Sequence, residues 1–159
     1  MIMSKPSNIS IANARIAFPN FSAKPEKYNQ HPMRNFLLIL EDEGLVENLI
    51  ADGWNVKRFR PREGEDLGTA YLQVKVNFNN KPPVIWLITG DRKTRVHEDM
   101  IEAFDYMEFE NIDLIIEPYQ YDVNGKTGIS AYLKTMYATK VVDAFESKYA
   151  DIGDDDCPF

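Results

Sequence analysis

The chain has little of the chemistry that metal sites and disulfides need: one cysteine, Cys157, and two histidines, His31 and His97, in 159 residues. A single cysteine excludes an intramolecular disulfide and a thiolate metal cluster, and a lone thiol suits a reducing compartment. Neither histidine has a partner at the spacing of metal ligands, since His97-Glu98 lacks the second histidine of a zinc-protease helix. We therefore predict no metal site and no cofactor.

Long apolar runs are also missing. Runs such as residues 84–88 are far shorter than the roughly 20 residues that span a bilayer, and the N-terminus lacks the charged-then-apolar pattern of a signal peptide. There is no glycine-rich phosphate loop and no nucleophile elbow. These absences predict a cytoplasmic protein that does not contact membranes and is not an enzyme.

The formal charge of −7 is divided unevenly along the chain. Residues 143–159 carry six acids and one lysine, a net charge of −5, which leaves −2 for residues 1–142. A nearly neutral body can present a basic patch on one face, so the acidic total does not exclude nucleic acid as a partner. We predict one domain, residues 1–150, followed by a flexible acidic tail, residues 151–159.

Alternating apolar and polar residues, clearest over residues 71–78, are typical of half-exposed antiparallel strands. Residues 43–52 have the apolar spacing of a helix and precede Gly53, a common helix end, and residues 98–106 predict a second short helix. Residues 21–33 form a loop long enough to suggest a function. The pattern predicts a mainly β, antiparallel barrel-like fold. The predicted strands are residues 9–18 (bent), 36–40, 54–59, 71–78, 84–89, 108–121 and 127–140.

Residues 54–62 combine four cations and two aromatic rings without any acid. This mixture suits single-stranded nucleic acid, because cations neutralise phosphates and exposed rings stack on unpaired bases. The alternative is that Trp54 and Phe59 belong to the core while the cations are merely solvated. A second basic segment, residues 92–95, is predicted as a loop that could extend the basic track by way of Lys75.

The second hairpin adds tyrosines, of which Tyr132 and Tyr137 differ in sequence parity and are therefore predicted to lie on opposite faces. Tyr132 is taken as a DNA contact. The full set of predicted DNA-binding residues is Trp54, Lys57, Arg58, Phe59, Arg60, Arg62, Lys75, Arg92, Lys93, Arg95 and Tyr132.

Two other functions are compatible with the sequence. Asp66, Gln73 and Lys75 have the order of an acid followed by a Glu/Gln-X-Lys triplet, as in metal-dependent nucleases, although alternating polar residues on a strand produce that triplet by chance. The other alternative is an adaptor that binds only protein.

The chain ends in Asp154-Asp155-Asp156-Cys157-Pro158-Phe159, which resembles the acidic tip of bacterial single-stranded-DNA-binding proteins except that cysteine replaces isoleucine. The body resembles the bacteriophage single-stranded-DNA-binding proteins built on an oligonucleotide/oligosaccharide-binding (OB) barrel. The segments that carry this second resemblance are residues 13–21, 52–57, 124–129 and 131–134.

The resemblance implies a five-stranded core barrel with additions, no catalysis, and DNA in a groove lined by basic and aromatic residues. It implies roles in DNA replication, recombination and repair in the host cytoplasm, with a tail that recruits replication and recombination proteins. Cys157 could also oxidise to form a homodimer. The residues that would bind those partners are Asp154, Asp155, Asp156, Pro158 and Phe159.

Overall fold

The structure is a computed structural model that describes residues 7–23, 33–79 and 81–142. Most of the predicted functional loop, residues 21–33, and the whole predicted tail, residues 151–159, lie outside the described residues. The described helices are α1 (Glu43–Asp52) and a 3-10 helix (Ile101–Tyr106), and neither is long and apolar enough to cross a membrane. The described strands are β1 (Ile9–Ile11), β2 (Arg15–Asn20), β3 (Arg34–Leu40), β4 (Lys57–Arg58), β5 (Ala70–Val76), β6 (Val84–Thr89), β7 (Arg92–Val96), β8 (Phe109–Val123) and β9 (Lys126–Lys140).

The two edge strands of the main sheet, β1 and β2, follow each other directly in the chain. The order of the sheet is β1-β8-β9-β5-β3-β2, and only residues 12–14 separate β1 from β2, so the sheet curls until its edges approach each other. The predicted bent first strand is therefore two strands, which break at Asn13, whose φ is 51°. Counted as one bent strand, β1 and β2 complete the five-stranded, partly open barrel of an OB fold.

The prediction of a mainly β, OB-like fold is confirmed, and the structure adds two features to it. Strand β9 runs parallel to β5 and β6, so the sheet is mixed, and over the described residues no ladder joins β1 to β2 to close a barrel. The predicted basic loop over residues 92–95 is wrong: these residues form β7, which pairs with β6. Gly90, with a φ of 59°, allows the tight turn that brings Thr89 opposite Arg92.

Both predicted helices exist. Helix α1 has the predicted limits because local groups fix its ends: the Asp42 carboxylate accepts from the backbone N–H of Gly44 and Leu45, and Gly53 takes the left-handed conformation at a φ of 97°. The second helix is a shorter 3-10 turn whose Ile101 and Phe104 are buried. These apolar side chains join the inward faces of the strands in one continuous core.

Candidate nucleic-acid interface

A bulge in β9 decides which side chains reach the outer surface of the sheet. Ile115 pairs with Thr135 and Ile116 with Leu133, so Lys134 is an extra residue in β9. The buried positions change from odd to even numbers across this bulge, from Ala131 and Leu133 to Met136 and Ala138. Tyr132 and Tyr137 consequently both lie half-buried on the outer face, and the prediction that they lie on opposite faces is wrong.

The outer face contains a groove where β5 and β9 diverge. The two strands pair only at Val74–Ala131 and Lys75–Tyr132. Residues 54–58 bridge the gap, because Trp54 forms a bridge with Ile129 of β9 while β4 pairs with the start of β5. The resulting cavity of about 400 Å³ is here called the β5–β9 groove. It is lined by Asn55, Lys57, Leu72, Gln73, Lys75, Tyr119, Tyr121, Ser130, Ala131 and Tyr132.

The electrostatics of the β5–β9 groove favour an anion. Among the described residues that line it, two are lysines and none is acidic. Lys57 is exposed at the rim, and the Lys75 ammonium lies 5.7 Å from the centre of the Tyr132 ring, within cation–π range. A phosphate could therefore be neutralised beside an aromatic face.

Three tyrosines form one wall of this groove. Tyr119 is 59% exposed, and its ring meets that of Tyr132 edge to face at 5.8 Å. The Tyr121 hydroxyl donates to the Asn55 side-chain oxygen at 3.2 Å. Across the ladder Tyr121 faces Gly128, where an added Cβ would lie 2.5 Å from the Tyr121 hydroxyl. The absence of a side chain at Gly128 is what allows this ring to lie against β9.

A second cavity, of about 510 Å³, lies on the other side of the Tyr119–Tyr132 pair. Asn77, Lys81 and Glu117 supply its polar groups. Because both cavities are lined by Tyr119 and Tyr132, the two rings form a ridge between neighbouring depressions.

The β6–β7 hairpin places another group of rings and cations on the same outer face. Trp86 pairs with Tyr137 of β9 and with Arg95 of β7. Lys93 lies two residues from Arg95 along β7 and therefore on the same face, and its ammonium is 4.4 Å from the centre of the Trp86 ring. Successive residues of a strand face opposite sides, so Arg92 lies on the opposite face from Lys93 and Arg95. The predicted trio Arg92, Lys93 and Arg95 is therefore divided between two faces.

The predicted segment 54–62 is also divided by the fold. Lys57 joins Lys75 and Tyr132 in the β5–β9 groove, as the sequence suggested. Trp54 is only 5% exposed and belongs to the core, so its prediction as a DNA-stacking ring is wrong. Phe59 is half-buried, with its ring 4.4 Å from that of Tyr71 and 6.2 Å from that of Phe18.

Arg58 has a structural partner instead of an open position. Its guanidinium forms two contacts with the Glu43 carboxylate, at 2.9 and 3.3 Å, and donates to the Gly68 carbonyl at 2.9 Å. The hydrogen bond to Arg58 lowers the pKa of Glu43, and the same bond raises the pKa of Arg58. A charge already matched in this way is a poor candidate for phosphate contact, which corrects its prediction as a DNA-binding residue. Arg60 and Arg62 are exposed but line neither cavity.

The residues that the predicted set lacked come from long-range contacts. The groove is also lined by Asn55, Gln73, Tyr119, Tyr121 and Ser130, of which only Asn55 belongs to a charged cluster in the sequence. The only local signal was the alternation of tyrosines in the second hairpin, which does not reveal the neighbouring strand.

A third cavity of about 680 Å³, larger than these two, lies elsewhere, at the seam between β1 and β2. Glu41, Glu108 and Glu110 are among its lining residues, and Arg15 is paired with Glu41 at 2.6 Å. Its charge is unsuited to a polyanion. In the described part of the chain no three His, Cys, Asp or Glu residues are grouped to hold a metal ion.

Comparisons with known proteins give a family and a fold. The family described as "Putative phage ssDNA-binding domain" matches residues 2–158. The fold is similar to that of the single-stranded DNA-binding protein from bacteriophage Enc34, although the sequences are only distantly related. Its C-terminal truncation has a TM-score of 0.55 at 14% identity, covering 86% of this chain and 87% of that one. Its complex with ssDNA has a TM-score of 0.55 at 13% identity, covering 87% of this chain and 89% of that one. No curated protein sequence matches this chain.

We predict that Gly128→Ala will displace the Tyr121 ring from the groove wall, because the new methyl group would collide with the Tyr121 hydroxyl and with the Asn55 Oδ1 atom beside it. The ring can rotate away, so the melting temperature should change little while the Asn55 side-chain amide signal shifts in the NMR spectrum. Tyr121→Phe, which removes only the hydroxyl, is the matched control. An Asn55 signal unchanged in Gly128→Ala would contradict the packing described here.

Proposed function

Because the chain belongs to the phage single-stranded-DNA-binding domain family, we propose that it coats single-stranded DNA without sequence preference and holds the strand in the β5–β9 groove. Coating of this kind protects DNA during replication, recombination and repair. We propose that the protein performs these roles in the cytoplasm of the host cell. The single observation that carries the site is the meeting of Lys57, Lys75 and Tyr132 in one groove lined, among the described residues, by no acid.

The chemistry of the groove explains a preference for single strands. Tyr119 and Tyr132 offer ring surfaces that can stack only on bases that are not already stacked in a duplex. The lysines attract phosphate whatever the base, and the polar groups of Gln73 and Ser130 can accommodate either donors or acceptors. Binding by such groups depends on the backbone and on stacking and therefore tolerates any sequence.

The two alternative functions are not retained. Single-stranded-DNA-binding proteins of this family are not enzymes, which removes the nuclease hypothesis based on Asp66, Gln73 and Lys75. Two of those residues have another use here, since Gln73 and Lys75 line the groove. Membership of a DNA-binding family likewise removes the adaptor that binds only protein.

We also propose that residues 1–150 form the DNA-binding domain and residues 151–159 a tail that recruits replication and recombination proteins. The support is chemical: three consecutive acids and a terminal Phe159 suit a partner with a basic rim and an apolar pocket. The same acids could compete with DNA for the lysines of the groove. A homodimer remains a further proposal, and oxidation of Cys157 is one route to it.

Affinity for a poly-dT oligonucleotide should exceed affinity for duplex DNA and should fall as the salt concentration rises. The adjacent residues Lys57 and Arg58 provide a matched test of the site. Lys57→Ala should reduce the slope of log K against log salt by about 0.7, the value of one phosphate contact on single strands. Arg58→Ala should leave that slope unchanged, since Glu43 already neutralises the guanidinium. Filter binding at four or more salt concentrations measures both slopes.

Equal affinity for single strands and duplex would contradict the proposed function. If single strands are preferred but Lys57→Ala keeps the wild-type slope, the function stands and the groove assignment is wrong.

Deletion of residues 154–159 should tighten binding to poly-dT at low salt, because the three acids no longer compete with phosphate. The same deletion should abolish binding of replication or recombination partners in a pull-down. Replacing Asp154, Asp155 and Asp156 by Asn while keeping Phe159 tests the contribution of charge alone: DNA binding should tighten as in the deletion. Unchanged DNA affinity in both variants would contradict the competition and leave only the partner role.

A further inference from the structure

The cluster formed by Trp86, Tyr137, Lys93 and Arg95, here called the hairpin cluster, lies apart from the β5–β9 groove. Trp86 and Tyr137 are paired in register on neighbouring parallel strands, and both are half-buried on the outer face. The opposite face of the same strands supplies Ile85, Met136 and Ala138 to the core. These strands therefore fill the core from their opposite face, and neither outward ring is part of it.

The cations of the hairpin cluster lie against rings. The Lys93 ammonium is 4.4 Å from the Trp86 ring centre and 5.5 Å from that of Tyr137, and the Arg95 guanidinium is 5.8 Å from Trp86. The Arg95 Nε atom is buried and makes no hydrogen bond within the described part of the chain. Asp113 of β8 is the acid that pairs with Tyr137 of β9. Its carboxylate accepts a hydrogen bond from the Asn13 backbone N–H at 2.8 Å. The cluster thus presents positive charge beside aromatic faces.

The hairpin cluster also lies in line with the first site. Tyr132 and Tyr137 project from the same face of β9 because of the bulge at Lys134. Tyr132 and Tyr137 pair with Glu117 and Asp113, which are four residues apart on β8, so at about 3.3 Å per residue the two tyrosines lie roughly 13 Å apart. This distance corresponds to about four nucleotides at the ~3.4 Å spacing of a stacked strand, and to fewer in a stretched one. The second cavity borders Tyr132 and contributes one cation, Lys81, and one acid, Glu117, beside that first site.

We propose that the hairpin cluster is a second base-stacking site, so that single-stranded DNA follows β9 from the Tyr119–Tyr132 ridge to Trp86 and Tyr137. The proposal rests on the proposed function and extends it by one site. A base stacks on the Trp86 ring and displaces the Lys93 ammonium, which then pairs with the phosphate of that nucleotide. The Arg95 guanidinium, 5.8 Å from the Trp86 ring centre, lies beside the same site and is placed to contact the same backbone.

Tryptophan fluorescence tests this proposal without a disruptive mutation. The chain has two tryptophans, and Trp54 is buried in the core, so a stacked base should quench the emission of Trp86 alone. We expect a 15-nucleotide oligo-dT to quench wild-type emission and to leave Trp86→Phe emission unchanged. Each protein is compared at DNA concentrations that saturate it, as judged by the anisotropy of labelled DNA. Quenching that persists in Trp86→Phe, or none in the wild type, would overturn the proposal.

Affinity measurements separate the second site from the first. Trp86→Ala and Tyr132→Ala should each weaken binding of the 15-mer by about 5- to 150-fold, the effect of losing one stacked base. Tyr106→Ala is the matched control, because Tyr106 is 76% exposed and lines neither cavity.

The outcomes are distinguishable. If the wild type fails to bind oligo-dT, the proposed function itself fails. If it binds and Tyr132→Ala weakens binding while Trp86→Ala behaves like Tyr106→Ala, only the second site is wrong. Should Trp86→Ala prove unfolded by circular dichroism, the quenching comparison decides, since it uses the wild type and a conservative exchange.

Discussion

The β5–β9 groove and the hairpin cluster depend on which strands pair with the two edges of β9. Strand β9 is bonded to β8 along one edge for its whole length, whereas its other edge is shared, first by β5 and then by β6. Strands β5 and β9 pair over only two residues each and diverge before Val74 and Ala131, and residues 54–58 bridge the gap that this divergence leaves. The β5–β9 groove is therefore a by-product of the pairing pattern, and the hairpin cluster occupies the edge that β5 leaves.

Local chemistry in the sequence was sufficient to predict the parts of the fold that local chemistry fixes. Helix α1 was predicted to the residue because Gly53 ends it, and the mainly β class followed from alternation. Lys57 and Lys75 could be singled out as candidates because cations on half-exposed strands are visible in the sequence. Their meeting with Tyr132 depends on two parallel pairs between strands about 57 positions apart, which no local pattern encodes.

The errors have the same origin. The extra residue at Lys134 reverses the inward and outward positions of half a strand, so counting parity through it misplaced Tyr137. Trp54 and Arg58 belong to a basic, aromatic segment, yet one fills the core and the other is matched by Glu43 on α1. Composition indicates that a segment can bind an anion, whereas partners distant in sequence decide which of its residues are available.

The edges of the sheet have a consequence for the proposed coating of DNA, in which copies of the protein lie side by side on one strand. An exposed sheet edge is a template on which neighbouring molecules can add strands. Here β1 has three residues, β2 contains Pro19 and a register shift, and β7 has three cations. In the part of the chain that the structure describes, these three edge strands are thus too short, too irregular or too charged to extend. Adjacent molecules can be packed closely on DNA without fusing into a continuous intermolecular sheet, and they can dissociate when the strand is released.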